Sequence, residues 1–372
     1  MAVLVTGGAG YIGSHAVKRL LTGGHSVVVL DNLVCGNAGA IHRLQQFAAR
    51  SGGNSGGGAA LTSVNAPIDD TARITDILKR HDVRTVMHFA ALSNVGDSVK
   101  EPLRYYLNNT AGTLNLLRAC AQADVDRFIF SSTAATYGQP DAHEIPIRET
   151  CPQRPINPYG ASKLFAERML ADFAREQRRS GRPFAYAILR YFNVAGCDTT
   201  GLLGEDHHPE THLIPVVLDM MRRGQLMIRI NGGDYPTPDG SCVRDYVHVE
   251  DLVDAHAAVM WAMQPEQHEE HIYNLGIGRG YSVREVVAAA ERVTGRTLAV
   301  DAGPRRPGDP ATLYADPTLI RQRIGWEARI TSLEAIIDSA WRWMLAHPRG
   351  YTTAGYVEPS PTPTSIPTER VA

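Results

Sequence analysis

Ala2-Val-Leu-Val-Thr-Gly-Gly-Ala-Gly-Tyr-Ile-Gly13 is the stretch that decides the fold of this chain. Its first five residues predict a short buried strand, and Ser14 to Leu21 predict an amphipathic helix. Between them, Gly7 and Gly10 permit a tight turn with close backbone approach, and Gly13 permits close packing of helix on strand. Free amides and the positive end of the helix dipole at this point favour a pyrophosphate. The stretch therefore predicts the dinucleotide-binding turn of a Rossmann-type fold.

The residues after this turn indicate which dinucleotide it binds. A second predicted strand, residues 26–30, ends at Asp31, eighteen residues after Gly13. A carboxylate at this position suits the ribose diol of adenosine. Since no Arg or Lys lies between Thr6 and Lys18 or directly after Asp31, a 2′-phosphate would meet repulsion and no cation. The sequence predicts NAD rather than NADP; the alternative is a glycine turn that binds nothing.

Strands and helices alternate through the first half of the chain. Further strands are predicted at residues 60–64, 85–89, 127–131 and 185–189, and helices at residues 39–50, 70–81, 103–122 and 159–179. This alternation predicts an α/β fold with a Rossmann-type, doubly wound parallel sheet. The Gly/Ser tract at residues 51–58 predicts a mobile surface loop.

The second half is less regular and predicts a smaller mixed α/β lobe that binds the substrate. We expect an NAD-binding Rossmann domain at residues 1–193 and a substrate-binding domain at residues 194–351, with some chain crossing between the lobes. The Pro/Thr-rich tail at residues 352–372 is expected to be disordered.

Composition narrows the class of protein. The chain has 372 residues and a net charge of −2, which argues against nucleic acid or an anionic membrane as a partner. Five scattered cysteines without a C-x-x-C pair favour reduced thiols in a cytoplasm. The 14 histidines show no known metal-ligand spacing, so no metal is expected. There is no apolar run of bilayer length, and because the first residues form the cofactor strand we expect no signal peptide.

A phenol and an amine lie four residues apart at Tyr159 and Lys163, where a helical pattern begins. Positions i and i+4 share one face of a helix. An ammonium beside a phenol favours the phenolate and so is expected to lower the tyrosine pKa from about 10 toward neutrality. Such a tyrosine can exchange a proton with a sugar or alcohol hydroxyl. The alternative is a chance Tyr-x-x-x-Lys on a solvated helix face.

From residue 3 to about residue 351 the chain resembles the UDP-glucose 4-epimerase family (also called UDP-galactose 4-epimerase) of the extended short-chain dehydrogenase/reductase superfamily. The motifs that carry the resemblance include Thr6-Gly-Gly-Ala-Gly-Tyr-Ile-Gly-Ser-His15, His88-Phe-Ala-Ala91, Phe130-Ser-Ser-Thr133, Asn157-Pro-Tyr-Gly-Ala-Ser-Lys163, Arg190-Tyr-Phe-Asn193, His212-Leu-Ile-Pro215, Val243-Arg-Asp-Tyr246 and Pro304-Arg-Arg-Pro-Gly-Asp309. Their ordered set extends into the second lobe, so the resemblance is more specific than superfamily membership.

The resemblance implies a reaction at C4 of a UDP-hexose. Bound NAD takes hydride from C4 while Tyr159 takes the hydroxyl proton; the 4-keto sugar then turns, and hydride returns to its other face. Lys163 lowers the pKa of Tyr159 and binds the nicotinamide ribose, and Thr133 orients the sugar 4-hydroxyl. The expected catalytic residues are Tyr159, Lys163 and Thr133. The expected NAD contacts are Gly7, Gly10, Tyr11, Ile12, Gly13, Asp31, Asn32, Phe89, Ala90, Ala91, Asn108, Tyr159, Lys163 and Phe192.

The resemblance also implies a UDP site in the second lobe. Arg244 and Arg306 stand at phosphate-binding positions, where a guanidinium fork suits paired oxygens. The expected substrate contacts are Thr133, Tyr159, Asn193, His212, Leu213, Arg229, Arg244, Arg306, Asp309 and Leu313. Leu313 stands where the family has a gatekeeper beside the C2 substituent. Being smaller than tyrosine, it predicts slow turnover of UDP-N-acetylglucosamine beside UDP-glucose and UDP-galactose. The alternative is that Leu313 packs in the core.

Three positions depart from the family pattern. Ala66-Pro67-Ile68 replaces the usual Gly-Asp-Ile, so an aspartate that bonds the adenine amino group is missing. Ser93 replaces a lysine near the NAD diphosphate, and His212 replaces an asparagine near the substrate phosphates. The first two departures predict weaker retention of NAD. At the third, His212 still offers a hydrogen-bond donor, but its side chain reaches a different distance from that of asparagine.

Other functions remain open. A nucleotide-sugar dehydratase would carry an Asp-Glu pair after Thr133, where this chain has Ala134-Ala135. A non-catalytic NAD-binding regulator would be expected to lack Tyr159 or Lys163. Epimerisation of UDP-xylose and UDP-arabinose, or of UDP-N-acetylglucosamine, stays open as the substrate alternative. The resemblance further implies a homodimer formed by the helices at residues 103–122 and 159–179, with Leu114, Leu117, Phe165 and Met169 in the contact or, equally, in the core.

Overall fold

The main structural element is a seven-stranded parallel sheet. The computed structural model describes residues 2–51, 59–306 and 309–351. The strands are β1 Ala2–Thr6, β2 Ser26–Asp31, β3 Leu61–Asn65, β4 Val83–His88, β5 Arg127–Thr133, β6 Ala185–Tyr191, β7 Asn193–Ala195, β8 Met227–Asn231, β9 Val243–Arg244, β10 Tyr246–His248, β11 Glu270–Leu275, β12 Tyr281–Ser282, β13 Ala299–Gly303 and β14 Thr312–Leu313. The large sheet has the order β11-β6-β5-β4-β1-β2-β3, which confirms the predicted fold class.

Helices cover both faces of this sheet and build much of the second lobe. They are α1 Tyr11–Thr22, α2 Ala38–Ser51, α3 Thr71–Arg80, α4 Val95–Lys100, α5 Pro102–Tyr105, α6 Gly112–Gln122, α7 Pro158–Arg179, α8 Leu213–Arg222, α9 Val249–Ala262, α10 Val283–Thr294, α11 Thr318–Ile324 and α12 Leu333–Ala346. A π-helical turn, Tyr106–Ala111, joins α5 to α6. No helix in the described part of the chain is long and apolar enough to cross a membrane.

The central strand β1 shows why the sheet is covered on both sides. All five of its residues are buried, as expected of a parallel strand between two helical layers. Val3 and Val5 lie in one apolar cluster with residues of α1, α2 and α9. Leu4 points to the opposite face and lies in a second cluster with residues of α3, α6 and α7. The apolar run in β1 therefore holds two layers together.

The strand order reverses beside β1, and this sets where ligands can bind. From β1 the chain proceeds outward through β2 and β3 on one side and through β4, β5 and β6 on the other. In such open sheets the loops at the carboxyl ends of the two central strands diverge and leave a crevice. The Gly-rich turn after β1 and residues 89–91 after β4 both lie at this crevice.

The second lobe contains three small sheets: β8 pairs with β13, β7 with β10, and β9 with both β12 and β14. The chain crosses back to the first lobe, since β11 pairs in parallel with β6 over six residues and α9 packs on α1. The sequence reading assigned no strand at β11. The proposed boundary near residue 193 therefore separates two lobes that share a sheet.

One predicted helix differs in detail from the structure. The helix expected at residues 103–122 is instead α5, the π-helical turn and α6. At this turn the buried Asn109 side chain accepts from Leu92 N (2.9 Å) and donates to Leu92 O (3.0 Å). A π turn is a common device where a helix meets a functional loop. The predicted Gly/Ser loop at 51–58, apart from Ser51 at the end of α2, and the predicted tail at 352–372 lie outside the described residues.

Candidate active site

Tyr159 and Lys163 lie in the first two turns of α7. Asn157 caps this helix by accepting a hydrogen bond from Gly160 N at 2.8 Å, and Pro158 occupies the first helical position. A Cβ on Gly160 would lie 2.4 Å from Ala135 O. Because only glycine fits there, the start of α7 packs directly on the turn that follows β5.

That close packing brings Tyr159 to Thr133, the last residue of β5. Thr133 Oγ1 accepts from Ala135 N at 3.1 Å and so starts the short turn at residues 134–136. Both side chains are buried. Burial raises the pKa of Tyr159 to about 12, while a hydrogen bond with Thr133 acts to lower it. The predicted catalytic pair is thus assembled, with its tyrosine protonated at neutral pH.

Lys163 lies one turn further along the same helix face but directs its ammonium elsewhere. Its Nζ donates to Ser131 O at 2.8 Å and lies 4.8 Å from the centre of the Phe130 ring. Burial lowers the pKa of Lys163 to about 7, with Glu167 opposing the shift. Burial thus dominates the pKa of both residues in this structure, and the role of Lys163 in lowering the pKa of Tyr159 stays a prediction.

A buried charge network that sequence reasoning missed supports this helix. Glu167, four residues after Lys163, accepts from Arg190 Nη2 at 2.7 Å and bonds Ser132 Oγ. Arg190 Nη1 donates to Tyr137 Oη at 3.0 Å, and Tyr137 donates to Asn274 Oδ1 at 2.7 Å. Arg190 belongs to a recognised motif, but only the fold shows that it ties β6 to α7.

The Gly-rich turn has the shape of a cofactor cradle. Gly7 has φ +71°, and a Cβ there would lie 2.6 Å from Ala90 N. A Cβ on Gly13 would lie 2.1 Å from Gly7 O. Among the described residues, no side chain caps the start of α1. The backbone amides there are therefore open to a ligand. The turn fits a dinucleotide diphosphate.

Asp31 at the end of β2 is fixed by the backbone. Its Oδ2 accepts from Ala9 N at 2.9 Å and its Oδ1 from Leu33 N at 2.8 Å. Burial raises its pKa, and these two amides act against that. Each oxygen keeps a further lone pair, so the carboxylate can still accept the two hydroxyls of a ribose.

The other predicted NAD contacts surround this crevice. Phe89, Ala90 and Ala91 follow β4 and are half-buried. Asn108 lies on the π-helical turn and donates to Asn109 Oδ1 at 2.9 Å. The remaining contacts have mixed settings: Ile12 is half-buried in α1, Asn32 is exposed after β2, and Phe192 is buried between β6 and β7. The Tyr11 hydroxyl donates to Gly196 O at 2.5 Å.

The predicted phosphate and uridine residues form a second group. Arg244 Nη2 donates to Asp309 Oδ1 at 2.8 Å. Asp309 and Arg306 line a cleft together with Gln139, Tyr235, Pro236, Arg305 and Ala311. Arg229 is exposed on β8, 3.7 Å from Asp301, and Asn193 is exposed at the start of β7. A cationic cleft of this kind suits a diphosphate.

Leu313 lies beside this cleft in β14, where it pairs with Arg244 of β9. Its side chain is only 8% exposed and belongs to a small apolar cluster with Ala134, Tyr137 and Phe192. That cluster begins immediately after Thr133. The residue is therefore packed in a local core that includes the residue after Thr133.

His212 and Leu213 begin α8, and His212 is the N-cap residue. The Nδ1 atom of His212 lies 2.5 Å from Glu205 Oε1. With His207 and Glu210 these residues form a four-membered group whose ligand-type atoms lie within 4.8 Å of one another. No familiar metal-ligand spacing marks this group in the sequence, which is why it was not anticipated. Of the other departures, Pro67 and Ser93 are both exposed.

Comparison with known proteins identifies the family. Residues 3–276 match the NAD dependent epimerase/dehydratase family. The chain is 45% identical over 353 residues to UDP-glucose 4-epimerase of Halalkalibacterium halodurans, covering 95% of this chain and 98% of that one. It is 44% identical over 355 residues to the putative UDP-arabinose 4-epimerase 4 of Arabidopsis thaliana, covering 94% and 78%.

A solved structure agrees. UDP-glucose 4-epimerase from Bifidobacterium longum in complex with NAD+ and UDP superposes with a TM-score of 0.85 at 37% identity, covering 94% of this chain and 100% of that one. Sequence, sheet order and the Gly-rich turn therefore lead to one conclusion: the chain belongs to the NAD dependent epimerase/dehydratase family.

Proposed function

We propose that this chain is an enzyme that interconverts UDP-galactose and UDP-glucose through a transient 4-keto sugar, with NAD as cofactor. The observation that carries the proposal is the buried pair of Tyr159 and Thr133 with Lys163 one turn away, at the carboxyl edge of a Rossmann sheet. Identity of 41–45% to several UDP-glucose 4-epimerases over nearly the whole chain supports it.

Tyr159 is proposed as the group that exchanges the proton of the sugar 4-hydroxyl. As a phenolate it accepts this proton, and as a phenol it returns it to the 4-keto oxygen, so one residue serves both directions. Thr133 favours the phenolate, since its hydrogen bond acts to lower the pKa of Tyr159 against the effect of burial. Lys163 provides a buried cation on the same helix face.

The proposed cofactor site combines the Gly7–Gly13 turn for the diphosphate with Asp31 for the adenosine ribose. NAD, when bound there, supplies a reversible oxidant for C4 of the sugar. The chain's own contribution is to orient the reacting groups and to exclude water by burying them. Arg244, Arg306 and Asn193 are proposed to hold the diphosphate of the substrate, and Asp309 and Arg229 to contact the nucleoside.

UDP-arabinose and UDP-xylose are the second candidate substrates. The observation that favours them is the 44% identity to a putative UDP-arabinose 4-epimerase, nearly equal to that with the glucose enzymes. A dehydratase is not favoured, since Ala134 and Ala135 form the turn after β5 and offer no acid for a leaving hydroxyl.

We also propose a homodimer in the cytoplasm. All five cysteines are free thiols, in keeping with a reducing compartment. Large apolar side chains are exposed around α5, the π-helical turn and α7, among them Leu103, Leu107 and Phe165. A second copy could cover them. Of the two alternatives given for Leu117, the contact or the core, its 2% exposure favours the core.

The test is to incubate the purified protein with UDP-galactose, UDP-arabinose and UDP-N-acetylglucosamine in turn and to resolve the epimers by NMR. Of the three substrates, UDP-galactose should be epimerised fastest, with UDP-glucose as its product. Tyr159→Phe should lower turnover at least about a hundredfold, as loss of a general acid–base does, while NAD binding is kept. Tyr186→Phe, which removes a phenol from β6 outside the proposed site, is the matched control. A Tyr159→Phe variant with near wild-type turnover would remove Tyr159 from the mechanism.

A further inference from the structure

A group of four metal-binding residue types lies outside the proposed reaction centre. It consists of Glu205, His207, Glu210 and His212, on the loop between β7 and α8. One ligand atom from each residue lies within 4.8 Å of all the others. Two imidazoles and two carboxylates are a familiar donor set for a borderline-soft divalent ion such as Zn²⁺.

The distances within this Glu/His group already approach those of a tetrahedral site. With ligand bonds of 2.0–2.2 Å, the ligand atoms of four-coordinate zinc are separated by about 3.3 Å. His207 Nδ1 lies 3.3 Å from Glu205 Oε1 and 3.5 Å from Glu210 Oε2. His212 Nδ1 lies 3.7 Å from Glu210 Oε1 and 2.5 Å from Glu205 Oε1. Three of these four separations are close to that value, with Glu210 facing the two histidines through different oxygens, and the last pair must separate by roughly 1 Å to admit an ion.

The Nδ1 atom of His207 faces Glu205 and Glu210 at ion-pair distances. This atom is buried yet makes no hydrogen bond of acceptable geometry within the described part of the chain. Buried polar atoms nearly always form well-directed hydrogen bonds, so two ion pairs of poor hydrogen-bond geometry at one buried nitrogen call for an explanation. The atom faces two carboxylates, and a metal ion between them would satisfy all three groups.

We propose that Glu205, His207, Glu210 and His212 bind one zinc ion. The site uses four protein ligands and so is of the closed, structural kind rather than a catalytic one with an open position. It goes beyond the proposed epimerase function, with which it shares only His212, an expected substrate contact. It also departs from the sequence-based expectation of no metal, because the spacing Glu-x-His-x-x-Glu-x-His in a loop matches no familiar zinc motif.

The location indicates what the ion does. The His207 ring lies edge-on to the ring of Tyr11, 6.1 Å between centres, and Tyr11 begins α1 directly after the Gly-rich turn. His212, on the other side of the Glu/His group, occupies the position before the first residue of α8. An ion would therefore fasten the start of α8 to the start of α1. Since Nδ1 of His212 is the atom that faces Glu205, its Nε2 is left for other contacts.

Zinc titration of the metal-free holoenzyme tests the proposal. Protein treated with a chelator and dialysed is titrated with ZnCl₂ by calorimetry, and the thermal midpoint is measured with and without the metal. Wild-type protein should bind one Zn²⁺ per chain and gain thermal stability. His207→Gln and Glu210→Gln should each weaken binding at least about tenfold, as loss of a ligand does, and should abolish the gain in midpoint.

His208→Gln is the matched control, because this neighbouring histidine is exposed and contacts only Asp206, at 3.2 Å, among the Glu/Asp side chains of this loop. It should bind zinc like the wild type. Co²⁺ in place of Zn²⁺ should give the intense visible absorption of a tetrahedral site in the wild type and in this control. Circular dichroism of the metal-free variants checks that they fold. If His207→Gln does not fold, the zinc affinity of Glu210→Gln decides the test.

Three outcomes would overturn the proposal: no zinc binding by the wild type, equal binding by His207→Gln, Glu210→Gln and His208→Gln, or an octahedral cobalt spectrum. The first would mean that the group is a set of ion pairs between histidines and glutamates. The second would mean that zinc binds elsewhere on the chain.

Discussion

Burial shifts the pKa of Tyr159 and of Lys163, two of the proposed catalytic residues. Leaving water disfavours the charged form of each, so the pKa of Tyr159 rises to about 12 and that of Lys163 falls to about 7. An i, i+4 spacing alone suggests a phenolate beside an ammonium, but this chain on its own holds a phenol beside a lysine near its titration point. A positive charge brought near Tyr159 by a ligand would act against the effect of burial and favour the phenolate.

Pro67 permits a prediction on cofactor retention. It lies exposed after β3, where a hydrogen-bonding aspartate is expected in relatives. Pro67→Asp should add a bond to the adenine amino group worth roughly 1 kcal/mol, which corresponds to about fivefold slower release of NAD. Release is measured as the loss of bound NAD and of activity during dialysis. Pro67→Ala separates the new carboxylate from the loss of the proline ring, and equal release from all three proteins would contradict the prediction.

Leu313 permits a prediction on sugar preference. Leu313 is buried next to Phe192 and next to Ala134, the residue that follows Thr133 in the chain. A bulkier residue in place of Leu313 should therefore narrow the space near the sugar. Leu313→Tyr should lower kcat/KM for UDP-N-acetylglucosamine by a further ten- to hundredfold relative to UDP-glucose, the usual ~1–3 kcal/mol for size in an apolar pocket. Rates on both sugars are compared in one preparation. Equal loss on both would favour the alternative that Leu313 serves only the core.

At the scale of elements, buried side chains join strands to helices, and His88 is the clearest case. Its Nδ1 lies 2.7 Å from Thr6 Oγ1 on β1, and its Nε2 lies 2.9 Å from Thr113 Oγ1 on α6. Burial, helped by the charge of Lys163, lowers the pKa of His88 to about 3. The folded chain therefore holds a neutral imidazole at the end of β4, next to the cofactor crevice.

This neutral histidine predicts how stability depends on pH. Its folded pKa lies below the unfolded value of about 6.5, so the unfolded chain takes up the proton first. Stability is full above pH 6.5 and falls as the pH drops toward 3, by about 1.4 kcal/mol between pH 7.5 and 5.5. His88→Gln should lower the thermal midpoint at pH 7.5 but show a smaller further drop at pH 5.5 than the wild type. His143 is exposed, so His143→Gln should show the same decrease in thermal midpoint between pH 7.5 and 5.5 as the wild type. If His88→Gln also showed that full decrease, His88 would not be the source of the pH dependence.

Local patterns predicted the elements that depend on local chemistry. The apolar run of β1, the three glycines after it and the Tyr159-to-Lys163 spacing are signals within a few residues, and they predicted the sheet and a helix that carries Tyr159 and Lys163, whereas Thr133 was assigned from the family resemblance. The π-helical turn was missed because it depends on Asn109 reaching Leu92, seventeen residues earlier. The Glu167–Arg190 pair was missed for the same reason, since only the fold brings its members together, whereas the Glu/His group is local in sequence and was missed because its spacing matches no familiar metal-binding motif.

At the scale of the whole molecule, the two lobes share one framework. The strand β11 returns from the second lobe to the edge of the large sheet, and β9 with β14 positions Arg244 beside Leu313. The loop that carries the Glu/His group lies between the Gly-rich turn and α8. Cofactor and substrate regions are thus connected through packed elements rather than through a flexible linker.

The exposed apolar side chains lead to the last prediction, that two copies associate through α5, the π-helical turn and α7. Leu103 is 74% and Leu107 70% exposed, values unusual for neighbouring leucines on a protein that stays monomeric. In a twofold interface each substitution acts twice. Leu107→Asp should therefore remove about 3 kcal/mol of apolar burial, at about 1.5 kcal/mol or more per leucine, and raise the dimer Kd by roughly a hundredfold. Light scattering at micromolar concentration should give a dimer mass for the wild type and for Leu226→Asp, an equally exposed leucine before β8, and a monomer mass for Leu107→Asp. A monomer mass for the wild type would contradict the homodimer proposal, and the apolar surface of α5, the π-helical turn and α7 would then need a different explanation.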